Sequence, residues 1–421
     1  MSGTLIRLAL QSLWNRRLTA GLTLLSITLA VVLLLGVEKI RTETRDGFRN
    51  TVSGTDLIVG ARASPVQLLL YSVFRIGDAT ANVRYGSYER ISSHPLVAWS
   101  IPLALGDSHR GFRVLGTNDA YLEHYRYGRD QALEVVDGGW FDDLYDAVIG
   151  AEVAAALGYT PGAQMVLSHG THEVSFTDHA EMPFTVSGVL ARTGTPVDRT
   201  IHVSLPAIEA IHLGWEAGIP LPGRTVSSDA AREADLTPET ITAFMLGLKS
   251  RAAVFQIQQA VNAFPGEPLT GILPGVALQQ FFSLIGVAED ALLVVSAFVV
   301  LVGLAGMMTM VLASLAERRR EMAILRSVGA RPWQLLVLLT AEATLLTALG
   351  AVLGAALVQG LVAGFAPLIE ALAGVRLSAG WPAQRELLML GAVVFGGLLS
   401  GLVPALLAYR RSLADGLTIR V

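Results

Sequence analysis

At 421 residues, 52% hydrophobic and only 16% charged, the chain is too apolar for an ordinary soluble protein, yet its apolar residues are unevenly spread. It has no cysteine, which excludes disulfides, thiolate catalysis and lipid attachment through sulfur. A net charge of −4 singles out no partner class and gives no footing for nucleic acid.

Residues 1–19, with Arg7, Trp14, Arg16 and Arg17, read as an interfacial helix on the inner face of a membrane. Four runs then have the roughly 20 residues a helix needs to cross the hydrocarbon core. They are 20–37, 291–316, 335–360 and 387–408, and none contains Lys or Arg. A single such charge at mid-helix costs about 2.5–3.5 kcal/mol on insertion scales, so its absence is informative. The first run is longer than a signal-peptide core, and Val37-Glu38-Lys39-Ile40 after it is not a small-residue cleavage site, so it reads as a retained anchor.

The segment 38–290 reads as an α+β extracytoplasmic domain carried on helical stalks. Glu38 to Phe48 keeps helical composition beyond the first span, and Val276, Leu278, Phe281, Phe282 and Ile285 lead into the second. Between the stalks, strands are expected at 55–61, 99–105, 112–116, 165–168, 184–190, 200–204 and 241–248. A short helix is expected at 151–157, ended by Gly158, and another after a Ser250 cap. The polar, Pro- and Gly-bearing stretch 219–235 reads as a surface loop.

The loop 317–334 carries Arg318, Arg319, Arg320, Arg326 and Arg331, and the tail 409–421 carries Arg410, Arg411 and Arg420. The positive-inside rule places these and both termini in the cytoplasm, leaving the loop 361–386 outside with only Arg376 and Arg385. Within 317–334, Met322, Ile324, Leu325 and Val328 form an apolar stripe opposite Arg319, Arg320 and Arg326. Gly329 suits a C-cap and Pro332 a helix start. The segment reads either as a helix lying on the membrane face, where a cytosolic partner can push, or as a basic loop that only fixes orientation. The fold class expected is therefore membrane α-helical, four transmembrane helices, with an inserted α+β extracytoplasmic domain.

Glu317, Arg320-Glu321, Ala323-Ile324-Leu325-Arg326, Val328-Gly329-Ala330 and Gln334 resemble the coupling-helix signature of MacB/FtsX-type ABC permeases. Glu342 followed by Gly350 and Gly354 is similar to the family's third span, and Ser400 to Ala405 to its fourth. Ile149 to Gly162 and Pro183 to Leu190 resemble its external domain; the tail departs from the pattern in lacking a proline. The resemblance implies a homodimeric permease subunit, coupled through Glu317, Arg318, Arg320, Glu321, Ile324, Leu325, Arg326, Gly329 and Ala330 to a separate ABC ATPase. ATP and Mg²⁺ would bind that ATPase, with no cofactor in this chain. It also implies mechanotransmission across a bacterial inner membrane to drive export or release of a substrate, with a periplasmic adaptor or substrate-binding protein as a further partner beside membrane lipid. The competing reading is a signalling or scaffold subunit that activates a periplasmic partner without moving cargo; a receptor with no ATPase is a third.

The residues themselves bear on enzymatic activity. The phosphate cradle G-x-x-x-x-G-K-[ST] does not occur, since Gly247-Leu248-Lys249-Ser250 lacks both the adjacency and the preceding glycine, so no nucleotide hydrolysis is expected here. His169, His172 and His179 lie close in sequence with Glu173, Asp178 and Glu181 among them; the spacing could present imidazoles to Zn²⁺ or Cu²⁺, but Gly170 marks a hairpin tip where polar residues are expected anyway, and the solvated tip is the favoured reading. Glu342 is an intramembrane acid, expected to pack or to pair with an arginine of the 317–334 loop rather than relay protons. Gly350-x-x-x-Gly354 and Gly397-x-x-x-Gly401 permit close helix contact, within or between protomers. No Ser/His/Asp set can be picked out; Asp198 and His202 lie near Thr195 in the chain, and a turn between strands explains them equally well.

Overall fold

The structure is a computed structural model that describes residues 17–170, 181–216, 219–220, 227–317, 324, 327, 329–373 and 380–414. Its helices, in chain order, include α1 (Arg17–Asn50), α2 (Pro65–Ser72), α3 (Ala151–Leu157), α4 (Leu205–His212), α5 (Val254–Asn262), α6 (Pro274–Glu317), α7 (Pro332–Ala373) and α8 (Gln384–Ala414). The chain divides into two compact units, 1–44 with 285–421, and 45–284.

In the first unit, α1, α6, α7 and α8 each contain a stretch apolar and long enough to cross a membrane. Their shared core is Ile27, Val31, Leu304, Met307, Ala343, Val358 and Val393. Small residues set how closely the helices approach. A Cβ added to Gly350 would lie 2.7 Å from Ile27 Cγ2, and one on Gly354 2.6 Å from Val31 Cγ1, so α7 lies directly against α1 at these positions. Gly397 and Gly401 of α8 meet Thr347 and Ala343 of α7 in the same way. Both glycine pairs are thus occupied within the chain. Phe298, Val302, Leu388 and Phe395 stay exposed, as residues facing hydrocarbon should.

α1 and α6 outrun their apolar cores. With 34 residues, α1 is about 51 Å long at 1.5 Å per residue, against roughly 30 Å of hydrocarbon. α6 is longer still, at 44 residues. The surplus is the polar 38–50 end of α1 and the 274–290 start of α6, where the stalks are expected.

The second unit is built on an 11-stranded mixed sheet. Its strands are β1 (Leu57–Ala61), β2 (Val97–His109), β3 (Phe112–Thr117), β4 (Val135–Gly138), β5 (Asp146–Ile149), β6 (Gln164–Met165), β7 (Ser168–His169), β8 (Phe184–Leu190), β9 (Thr200–Ser204), β10 (Ala243–Leu248) and β11 (Leu269–Ile272). Their order is β11-β1-β10-β2-β3-β9-β5-β8-β4, with β7 added on β2 and β6 on β8. β9 runs parallel to β3 and β8 parallel to β5; the other pairs are antiparallel. β8 alternates buried and half-buried residues along its length, as a half-covered strand does. Ile58, Leu103 and Met245 belong to one apolar cluster, while Val59, Phe244 and Leu246 belong to another, so β1 and β10 are covered on both faces.

Local signals behave as their chemistry requires. α3 ends at Gly158 with φ +68°, and Ser250 Oγ accepts from Ala252 N before α5. Three departures from the expected elements have local causes. β2 continues to His109 rather than stopping near residue 105, because a bulge opposite β3 absorbs one extra residue and lets pairing resume at Ser108. The expected 165–168 strand is instead β6 and β7, which pair with different neighbours. Within 219–235 a short helix, Ser228–Arg232, forms because Ser227 Oγ caps Ala230 N and Ala231 is buried.

Candidate functional site

The 317–334 segment marked out in the sequence is only partly described. Arg318, Arg320, Glu321, Leu325 and Arg326 lie outside the described residues, as does the side chain of Glu317. Ile324 is exposed, and Gly329 has φ +102°, the left-handed backbone a helix C-cap adopts. Ala330 is half-buried. The Arg331 amide donates to Gln334 Oε1 at 2.8 Å as α7 begins, which satisfies one of the donors a helix start leaves open. Glu342 is 5% exposed on α7, eight residues after Gln334; most of the arginines expected as its partners fall outside the described residues.

The polar ends of α1 and α6 are joined by charge and by aromatic packing. In the first unit, Arg41 of α1 bonds Glu289 of α6 at 3.0 Å and lies 3.5 Å from Asp290. Glu38, only 1% exposed, is 3.6 Å from both Arg41 and Arg385, so the cluster gathers α1, α6 and α8. In the second unit, Phe48 of α1 packs on Phe281 and Phe282 of α6 with ring centroids 5.3 and 6.2 Å apart. Arg45 and Arg49 lie over Phe282, beside a cavity of about 690 Å³ also lined by Leu69 and Phe74.

The sheet gathers a second set of polar groups. His169 on β7 sits opposite Asp107 on β2, in the bulged stretch of that strand. His212, the last residue of α4, completes the group: His169 Nδ1 is 3.2 Å from His212 Nε2 and 3.3 Å from Asp107 Oδ1, and His212 Nε2 is 3.4 Å from that oxygen. Burial works against a charge on His212, but its hydrogen bond to Asp107 and the attraction of that carboxylate leave its pKa raised. His172 and His179 lie outside the described residues. Asp107 and His212 are 62 and 43 residues from His169 and share no short-range spacing with it; the strand register and the end of α4 make the cluster.

Asp198 takes 2.7–2.8 Å hydrogen bonds from Thr193 N, Thr193 Oγ1 and Gly194 N, which makes it the clasp of a loop. Burial raises its pKa despite those donors. His202 is fully buried and donates from Nδ1 to Val148 O at 3.2 Å. Burial, helped by the Arg75 charge, pushes its pKa down to about 3, so the imidazole stays neutral.

Four membrane-length helices with an inserted mixed-sheet domain between the first two define a multi-pass membrane protein. Residues 20–264 match the MacB-like periplasmic core domain and residues 293–413 the FtsX-like permease C-terminal domain, and the chain belongs to the MacB/FtsX-like family of ABC-type permeases. Among solved structures, it is similar to the periplasmic region of MacB from Actinobacillus actinomycetemcomitans, at 9% identity over 55% of this chain and 94% of that one, with a TM-score of 0.33. It is also similar to the extracellular domain of the noncanonic ABC-type transporter YknZ from Gram-positive bacteria, at 13% identity over 52% of this chain and 99% of that one, with a TM-score of 0.31. No curated protein matches the sequence.

Proposed function

We propose that the chain is the membrane subunit of an ABC-type complex in a bacterial inner membrane, with both termini cytoplasmic, working as a homodimer with a separate ATPase. The ATPase engages the 317–334 segment, and its closing and opening reach the external domain through α1 and α6, so that a substrate is exported or released on the periplasmic side. The observation that carries this reading is the continuity of those two helices beyond the membrane-length core, together with their side-by-side fastening at Arg41–Glu289 and Phe48–Phe281. A helix is stiff enough to pass on a displacement, whereas a flexible linker would dissipate it. The exposed Ile324 suits a contact with a cytosolic partner.

Affinity purification of the full-length chain from the membranes of its host, with the eluate probed for an ABC ATPase, tests the reading. The wild-type pair is expected to stay together and to hydrolyse ATP, whereas Leu325→Asp combined with Arg326→Glu should release the ATPase while the permease stays folded. A permease that binds no ATPase, or binds it equally well after those changes, would end it. ATP hydrolysis stimulated by cargo would support export over signalling.

A further inference from the structure

We propose that Asp107, His169 and His212 form a tetrahedral binding site for a Zn²⁺-class divalent metal ion. The three edges between Asp107 Oδ1, His169 Nδ1 and His212 Nε2 measure 3.2, 3.3 and 3.4 Å, close to an equilateral triangle. A tetrahedral ion with bonds of about 2.0–2.1 Å requires ligand-to-ligand edges of about 3.3 Å. An octahedral ion with bonds of about 2.1 Å would require edges nearer about 3.0 Å. The triangle therefore has the dimensions of one face of a Zn²⁺ tetrahedron. Two imidazoles and one carboxylate also favour this chemistry: Mg²⁺ and Ca²⁺ take oxygen ligands, and Cu²⁺ prefers a tetragonal arrangement.

The surroundings hold the ligands in place. His212 donates from Nδ1 to Ile208 O at 2.8 Å within its own helix, which orients the ring so that Nε2, once it gives up its proton to bind an ion, turns its lone pair to the cluster. The bulge in β2 supplies Asp107 with a side chain only 2% exposed, and the β2–β7 register sets His169 across from it. The side chains of His169 and His212 remain 39% and 27% exposed, so the cluster opens to solvent on the side of the imidazoles. Among the described residues three side chains supply ligands, and a tetrahedral ion takes a fourth ligand besides them. The site stands on this geometry alone and does not depend on an ATPase partner.

The test uses the untagged, full-length protein in detergent after treatment with a chelator, titrated with Zn²⁺ and separately with Co²⁺. One equivalent of Zn²⁺ is expected to bind at micromolar concentration or below, with Mg²⁺ unable to compete. Co²⁺ should give the intense visible absorption of a tetrahedral site. His169→Ala and His212→Gln should each weaken Zn²⁺ binding at least about 100-fold, while His124→Ala, whose ring stacks on Trp99, should bind as the wild type does. The Co²⁺ spectrum needs no variant, so a misfolded variant cannot rescue or sink the proposal. Absence of saturable binding at micromolar Zn²⁺, a weak octahedral Co²⁺ spectrum, or undiminished binding after both histidines are replaced would each overturn it.

Discussion

His202 shows what a single buried side chain does to the pH response of the external domain. The unfolded chain takes up a proton on this imidazole near pH 6.5, whereas in the folded protein burial and Arg75 hold the pKa near 3. The folded pKa lies below the unfolded one, so the full contribution to stability is present above about pH 6.5 and drains away as pH falls towards 3. The whole window corresponds to a loss on the order of 4 kcal/mol, and about half of it is reached by pH 5. Gln can still donate to Val148 O but does not titrate. His202→Gln is therefore expected to lower stability somewhat at neutral pH and to flatten the fall of Tm between pH 7 and 5, followed by calorimetry. A variant whose Tm falls as steeply as that of the wild type would show that the imidazole is not the group being titrated.

At the scale of elements, the four long helices are held together by missing side chains as much as by present ones. Gly354 leaves room for Val31 and for the Thr28 carbonyl, so Gly354→Val should overpack the α1–α7 contact at a cost of about 1–3 kcal/mol. A Cβ on Gly391 meets nothing within 4 Å, so Gly391→Ala should be close to neutral. Thermal unfolding in detergent separates the two, and equal effects would mean that α7 does not lie against α1 in this way. The spans could be read from the sequence because hydrocarbon tolerates so few charges, and β8 because Phe184, Val186, Gly188 and Leu190 alternate with half-buried neighbours. The partners of Gly350, Gly354, Gly397 and Gly401 could not, since spacing within one helix does not say which neighbour fills the groove. The same limit hid Asp107 and His212. Clustered histidines near residue 170 drew attention to a local loop, but His169 meets its neighbours through a cross-strand register and a helix end set by the rest of the sheet. Arg41 was legible as one charge on a polar stalk; its attachment to Glu289 required two helices to lie side by side.

For the whole molecule, the question is whether force travels along α1 and α6. Driving an external domain from a 1:99 to a 99:1 population takes about 5.5 kcal/mol of differential binding between its states, and in a binding equilibrium that coupling acts equally in both directions. Under the proposed coupling to a separate ATPase, restraining the stalks should therefore be felt at that subunit. The absence of cysteine makes the experiment clean: Phe48→Cys with Phe281→Cys supplies the only two thiols in the chain, at positions whose rings lie 5.3 Å apart. Bridging them with a short thiol-cleavable cross-linker should slow ATP hydrolysis by the assembled complex several-fold, and cleaving the bridge should restore it. The same pair left unbridged sets the baseline, since loss of the Phe48–Phe281 packing loosens the stalks by itself, and either single cysteine exposed to the reagent should show no slowing beyond its untreated rate. Arg41→Ala, which removes the contacts to Glu38, Glu289 and Asp290, should act in the opposite direction by loosening the stalks: hydrolysis continues but responds less to an occupied external domain. If bridging the stalks leaves hydrolysis unchanged while the cross-link is verified by mass spectrometry, the motion does not require the two helices to shift against each other at Phe48, and the lever must lie elsewhere in the four-helix unit.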